Sequence, residues 1–329
     1  MLTVKDLGER GLLERLQRYC PLGVVGDDGA ILAIAPDKSL VVTTDVLVDG
    51  VHFSDRTTSA YDAGWRATAA NLSDLAAMGA EPVGITVGLS LPGELAVSWV
   101  EELYRGMSDC LAVYSTPIVG GDICRSRVIS VAITALGQVA SQKAILRSTA
   151  RPGDVILVTG LHGLSRGGLE LLLKPNFQHN LTSEEQERLL QAHQRPQPRL
   201  DVLEYLKLIP DSVAIAGMDS SDGLADAIQQ ICLASGVGAI VESEKLSIFS
   251  GLDKLTDLST AQEWQLYGGE DFELVLCLPQ NWAEILRSQL GKEAQIIGEI
   301  VPEPEIKIIE SKNLAKIKRL NLSKGFRHF

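Results

Sequence analysis

Histidine and cysteine are scarce in this sequence, five of each in 329 residues. Cys20, Cys110, Cys124, Cys232 and Cys277 are far apart and form no C-x-x-C pair. That spacing excludes a zinc ribbon or a disulfide framework and predicts reduced thiols. The histidines show no H-E-x-x-H spacing. Basic residues are outnumbered, 30 Lys and Arg against 42 Asp and Glu, for a formal net charge of −12. A nucleic-acid surface needs clustered cations and is not expected. No apolar run is long enough to span a membrane; Val128–Val139 is broken by Ser, Thr, Gly and Gln. The first residues carry acids where a secretory signal has its apolar core, so a soluble, cytoplasmic protein is expected. There is no fixed-period repeat and no low-complexity tract. Two phosphate-binding signatures are also missing: no glycine loop leads into Lys-Ser/Thr, and no G-x-G-x-x-G is found.

What is present is ordinary globular composition, 45% hydrophobic and 22% charged, in a chain long enough to predict two domains. Leu40–Val48 is short and β-branched, a strand. Ala60–Met78 has the Ala, Leu and Trp density of a buried helix ending at Gly79. Strands over Val83–Leu91 and Val128–Val139 flank a helix over Ser98–Tyr114. The polar stretch Arg147-Ser-Thr-Ala-Arg-Pro-Gly-Asp marks a break, giving domains 1–145 and 146–329. In the second, a strand at Val155–Thr159 precedes a glycine-rich turn and a helix at Ser165–Leu173. Thr182-Ser-Glu-Glu reads as a capping box, and Arg195-Pro-Gln-Pro-Arg as a stiff connector. A strand–turn–helix unit over 213–234 and strands at Gly238–Val241 and Phe272–Leu278 complete the domain. The architecture expected is α/β (α+β), strands covered by helices.

Acidic motifs recur where loops are expected to leave strands. They are Gly26-Asp-Asp-Gly-Ala, Thr43-Thr-Asp45, Gly120-Gly-Asp122 and Gly217-Met-Asp-Ser-Ser-Asp-Gly223. Each alone could be turn chemistry. Thr43 and Asp45 share one strand face. Asn71 and Asp74 project from one side of a helix that Ala69, Ala70, Leu72, Leu75, Ala76 and Ala77 leave little exposed, and a buried carboxylate needs a partner. Carboxylates gathered without cations repel, and divalent metal is an economical way to hold them. Oxygen ligation without His or Cys points to magnesium, which usually bridges protein carboxylates to substrate phosphates. Gly120-Gly121 and Gly268-Gly269 would let a backbone approach a ligand. Gly160-Leu-His-Gly163 and Gly167-Gly168 precede or open a helix whose amides favour anions. Asp219, Ser221 and Asp222 are expected both to cap the following helix and to hold metal and nucleotide.

Together these blocks, with Thr43-Thr-Asp-Val-Leu-Val-Asp-Gly-Val-His-Phe53, Asn71-Leu-Ser-Asp-Leu-Ala-Ala-Met-Gly-Ala80, Tyr267-Gly-Gly-Glu-Asp-Phe-Glu-Leu274 and Gly325-Phe-Arg-His-Phe329, resemble the thiamine-monophosphate kinase family over nearly the whole chain. The resemblance implies an aminoimidazole ribonucleotide synthetase-like fold. Its mixed-sheet N-terminal domain would dimerise and bind Mg and ATP, and its α+β C-terminal domain would complete the ATP and substrate site. It implies ATP-dependent conversion of thiamine monophosphate to thiamine diphosphate in a homodimer with several Mg2+ ions. By motif, Asp28, Thr43, Thr44, Asp45, Asp74, Asp122, Asp219 and Asp222 would ligate magnesium. Tyr104, Gly121, Asp122, Arg147 and Ser221 would contact ATP, and His52, Glu270 and Phe326 would face the thiamine phosphate. Phe326 stands where the family often has Trp or Tyr; it keeps a flat apolar face and loses the polar tip. The alternatives are an aminoimidazole ribonucleotide synthetase-like ATP-dependent enzyme and a non-catalytic Mg-nucleotide-binding dimer.

Overall fold

The computed structural model describes residues 2–25, 29–176, 180–310 and 313–319. Asp28 and Phe326 lie outside the described residues, as do Gly26 and Asp27. Two compact units form, Met1–Leu75 with Ala80–Ser141, and Ala76–Gly79 with Gln142–Phe329. Among the described residues no helix is long and apolar enough to cross a membrane.

The first unit runs α1 (Val4–Leu16), β1 (Lys38–Val48), α2 (Ala60–Ala77), β2 (Glu81–Leu91), α3 (Val97–Val113), β3 (Ile118–Arg125) and β4 (Ser130–Ala140). Its sheet has the order β1-β4-β2-β3. The β1–β4 and β4–β2 pairs are antiparallel and β2–β3 is parallel, so the sheet is mixed. Period-two alternation sends Ile85, Val87, Leu89, Ile133 and Ala135 to a buried face. The opposite face leaves Leu40, Val42 and Val46 about half exposed, at 50%, 56% and 47%.

Helices α2 and α3 meet backbone to backbone. A Cβ added at Gly64 would lie 1.9 Å from the Leu103 carbonyl oxygen, and one at Gly106 would lie 1.9 Å from that of Tyr61. Only glycine at both positions permits this approach. It fixes α2, which carries Asn71 and Asp74. The helix stops where Gly79 takes φ 70, as its sequence predicts.

In the second unit the elements are β5 (Val155–Val158), α4 (Leu164–Leu173), α5 (Ser183–Gln194), α6 (Val202–Leu206), β6 (Ala216–Asp219), α7 (Leu224–Ser235), β7 (Gly238–Glu242), α8 (Leu252–Leu255), α9 (Leu258–Tyr267), β8 (Leu274–Leu278), α10 (Gln280–Leu290), β9 (Gln295–Val301), β10 (Ile306–Glu310) and β11 (Asn313–Arg319). Seven strands pair in the order β11-β10-β7-β9-β5-β8-β6. The domain therefore does not end its sheet at Leu278, as the sequence suggests. Strand β9 inserts between β5 and β7, and β10 adds parallel to β7. Ile156, Val158, Val275, Cys277 and Ile297 form one core with Ile228 and Ile231 of α7. A second cluster joins Leu164, Leu171, Leu189, Leu252 and Ala261.

Two local expectations change and two hold. Gly120-Gly-Asp122 lies within β3, so it is not a turn at a strand end, whereas Asp45 lies within β1 as the strand reading of Leu40–Val48 has it. Gly167 and Gly168 sit inside α4 and serve packing: a Cβ on Gly168 would come within 2.0 Å of the Leu189 carbonyl on α5. The Thr182 capping box forms as expected, with Glu185 accepting from the Thr182 amide at 2.9 Å and Thr182 Oγ1 accepting from the Glu185 amide at 3.2 Å.

Because the α2–α3 contact leaves no room for a methyl group, Gly64→Ala and Gly106→Ala are each expected to destabilise the fold by about 1–3 kcal/mol. Urea unfolding of the two variants measures this, and unchanged midpoints would refute the backbone contact.

Candidate functional site

In the first unit, strand periodicity separates the Thr-Thr-Asp motif between two faces. Thr43 donates a short hydrogen bond from its hydroxyl to the Asp74 carboxylate on α2. The Asp45 amide donates to Asn71 Oδ1 at 3.1 Å, and Asn71 Nδ2 donates back to the Ala67 carbonyl at 2.9 Å. Thr43 and Asp45 thus meet Asn71 and Asp74 on the helix-covered side. Thr44 points to the other face, its hydroxyl 2.8 Å from that of Thr134.

Asp122 stands apart from this pair. In the order β1-β4-β2-β3 it is three strands from β1, roughly 14 Å at ordinary strand spacing, and it pairs with Gly88 on the exposed face. It instead borders a cavity of about 480 Å³ whose walls include Leu16, Cys20, Tyr104, Ile118 and Gly121. Tyr104 on α3 is buried at 5% exposure, and its hydroxyl has no hydrogen-bond partner among the described residues. Burial holds that phenol well above its usual range, with Cys20 adding to the effect. A ligand acceptor entering the cavity would meet the Tyr104 hydroxyl as a donor. The volume lies in the range of small-molecule pockets.

His52 closes a tight turn after β1. Its Nδ1 accepts from the Val48 amide at 3.0 Å, which places the ring proton of the neutral imidazole on Nε2.

In the second unit the Gly217–Gly223 motif resolves differently from a helix cap. Asp219 is the last residue of β6 and is buried, as is Ser220. Ser221 Oγ donates to Asp219 Oδ1 at 2.9 Å. The N-cap of α7 is Gly223, at φ 107, with no side-chain hydrogen bond. Capping by Asp219, Ser221 or Asp222 is therefore not what the motif does, because the serine hydroxyl is turned back to the strand and a glycine occupies the cap. Asp222 is exposed. Burial pushes Asp226 on α7 up, the charge of Asp222 adds to this, and Arg147 opposes it, so Arg147 and Asp222 both lie within electrostatic reach of that carboxyl.

Three residues given no role by the sequence, His162, Arg199 and Asp271, complete this region together with Glu270. His162 is buried, hydrogen-bonded to the Gly160 backbone, with Nε2 3.1 Å from Ser220 Oγ. Arg199, from the Pro-rich connector, reaches the Thr159 carbonyl at 2.7 Å and Glu273 at 2.5 Å. Asp271 accepts from the Gly163 and Ser165 amides at 2.7 and 2.9 Å. The N-terminus of α4, expected to favour an anionic ligand, is thus filled by an internal carboxylate. Glu270 donates its amide to the Ser221 carbonyl at 2.7 Å. This joins the Gly-Gly-Glu-Asp-Phe-Glu block to the Ser-Ser-Asp block.

Among the described residues no three His, Cys, Asp or Glu side chains come together as a metal centre. Asp45 and Asp74 with Thr43 still form an oxygen-only donor set. Magnesium is usually held by one or two carboxylates, with phosphate and water supplying the remainder, and the donors present suit it on that basis.

The chain matches the AIR synthase related protein N-terminal domain over residues 26–139 and the corresponding C-terminal domain over residues 151–311. It belongs to that family of AIR synthase related proteins. A thiamine-monophosphate kinase of Synechococcus elongatus is 47% identical over 330 residues, covering 99% of this chain and 98% of the relative. A crystal structure of thiamine-monophosphate kinase from Stenotrophomonas maltophilia superposes with a TM-score of 0.78 at 33% identity, covering 90% of this chain and 95% of that one. AaThiL complexed with AMPPCP and TMP gives 0.76 at 32% identity, covering 100% and 99%. Within the wider family the chain therefore belongs to the thiamine-monophosphate kinases.

Two buried groups make stability depend on pH with opposite signs. Burial holds His162 down to about 4 from 6.5, against a backbone hydrogen bond. The unfolded chain gains a proton in that window that the folded chain does not, so His162 withdraws stability as pH falls from 6.5 towards 4. Burial pushes Asp271 up to about 7 from 3.8, against its two amide donors, with Glu273 and Glu270 adding to the rise. Its contribution is full below 3.8 and is lost as pH rises through 7. Relative to wild type, His162→Asn should gain stability on acidification from pH 7 to 4.5, and Asp271→Asn should lose it, each by more than about 1 kcal/mol. Urea titrations at the two pH values test both signs.

Proposed function

We propose that this chain transfers the γ-phosphoryl group of ATP to the phosphate of thiamine monophosphate, giving thiamine diphosphate and ADP by direct in-line displacement. The observation that carries this is whole-length similarity to a protein whose structure holds AMPPCP and TMP together. The acceptor oxygen of a phosphate monoester is already ionised near neutral pH, its second pKa being about 6. No strong general base is then needed, and none of the residues named here is assigned that task. Both reactants are polyanions, and the chain itself is acidic. Bound magnesium would screen their repulsion and stabilise charge moving onto the leaving ADP.

We assign ligation of several magnesium ions to Asp28, Thr43, Thr44, Asp45, Asp74, Asp122, Asp219 and Asp222, shared out among them, since Thr44 and Asp122 do not face Asp74. Asp74 and Asp45 are presented from a helix and a strand that cannot shift independently, since Thr43 and Asn71 link them. Tyr104, Gly121 and Asp122 take the nucleotide at the cavity they share, with Arg147 and Ser221 as further nucleotide contacts. His52, presenting Nε2–H, and Glu270 and Phe326 take the thiamine phosphate. The apolar face of Leu40, Val42 and Val46 supports a homodimer in which these side chains are covered, since exposed apolar patches commonly mark such contacts. The free thiols support a cytoplasmic location.

Enzyme, ATP, magnesium and thiamine monophosphate should yield thiamine diphosphate on chromatography. ATP binding with no ADP formed would leave a nucleotide-binding protein and overturn the kinase reading. Asp74→Asn and Asp219→Asn are expected to lower kcat at least about 100-fold with the fold intact by circular dichroism. For the dimer, Val42→Glu with Val46→Glu should halve the mass seen by analytical ultracentrifugation; an unchanged mass would move the interface elsewhere.

A further inference from the structure

We infer that Asp271, acting with Ser165 and His193, is a positioning residue that fixes the carboxylate of Glu270 for the phosphorylated acceptor. The inference rests on the assignment of Glu270 to that substrate. Its starting point is the backbone: Glu270 and Phe272, on either side of Asp271, take φ 59 and 53. Side chains other than glycine disfavour this left-handed region, and a bulky residue there needs its surroundings to impose it.

Those surroundings are visible. Both Asp271 oxygens are engaged by amides at the N-terminus of α4, one from Gly163 and one from Ser165. Helix α4 has ten residues, and its own N-cap, Gly163, supplies no side-chain bond. The cap comes instead from 108 residues away along the chain. The Ser165 side chain is 3.2 Å from His193 Nδ1, with both residues buried. His193 Nδ1 in turn lies 3.8 Å from Glu270 Oε2. The contacts close a ring: Asp271 to Ser165, Ser165 to His193 on α5, and His193 back to the neighbour of Asp271.

The frame beneath the ring is stiff, because Gly168 packs α4 against the α5 backbone. From the other side, the Glu270 amide is fixed on Ser221. A simple cap would require none of the left-handed flanking residues; position 163 itself, at φ 88 and with the Gln265 amide 3.0 Å from where a Cβ would stand, admits only glycine. The Ser221 carbonyl holds the Glu270 backbone, and the ring sets the His193 imidazole 3.8 Å from its carboxylate.

Steady-state kinetics on Asp271→Asn, Ser165→Ala and Glu270→Ala decide this. Ser165→Ala keeps both amides and removes only the hydroxyl link, so it remains informative if Asp271→Asn fails to fold. Asp271→Asn and Ser165→Ala should raise KM for thiamine monophosphate about tenfold, with KM for ATP within about twofold. Neither should add to the effect of Glu270→Ala in the double variant, because they act through the same side chain. If Glu270→Ala raises KM for thiamine monophosphate and the folded positioning variants do not, the inference fails and the substrate assignment stands. If Glu270→Ala itself leaves that KM unchanged, both fall. A uniform loss of kcat and both KM values in step with thermal stability would reduce the ring to scaffolding and overturn the inference.

Discussion

A carboxylate withdrawn from water must be given a donor, and much of the arrangement described above follows from that requirement. Asp74 takes a threonine hydroxyl, Asp219 a serine hydroxyl, Asp271 two backbone amides, and Glu273 a guanidinium with a second threonine hydroxyl. Most of these donors are neutral. Neutral donors stabilise the charge without cancelling it, which leaves Asp74 and Asp219 suited to binding cations that arrive with an anionic substrate, while Asp271 is taken up by the α4 amides. Glu273 is the exception: its partner Arg199 is a full charge, and that pair holds the connector to the sheet rather than facing a ligand.

The second determinant is how closely helices can approach. Gly64 with Gly106, and Gly168 beneath Leu189, let helix backbones touch where side chains would otherwise keep them 8–10 Å apart along their axes. In each unit the helix so fixed also carries polar groups of the candidate site. Asn71 and Asp74 ride on α2, and Ser165 on α4. Fold stability and site geometry therefore depend on the same glycines.

Much of this was legible in sequence. Period-two alternation placed Thr43 and Asp45 on one face, and the small-residue density of Ala60–Met78 announced a buried helix with Asp74 on it. The capping box at Thr182 and the stop at Gly79 were local signals with local causes. The family motifs carried the rest of the functional reading. What local reasoning could not supply were contacts between distant segments. Nothing near Gly163 says that its helix will be capped by residue 271, and nothing in Arg195-Pro-Gln-Pro-Arg says that Arg199 will reach Glu273. Glycine near a helix start suggested an anion from outside, whereas the chain provides its own. Asp122 was misplaced into a turn because two consecutive glycines normally interrupt a strand; here parallel pairing with β2 carries β3 through them.

The distance in sequence between Asp271 and the amides it satisfies bears on biosynthesis. A polypeptide leaving the ribosome presents residues 163–173 long before residue 271. Until then the first turn of α4 has no cap of its own, and the loop bearing Glu270 does not exist. The acidic group assigned to the acceptor is thus ordered late in translation, once strand β8 has been released to pair with β5 and β6. A truncated product ending before that strand would lack both the capped helix and the loop.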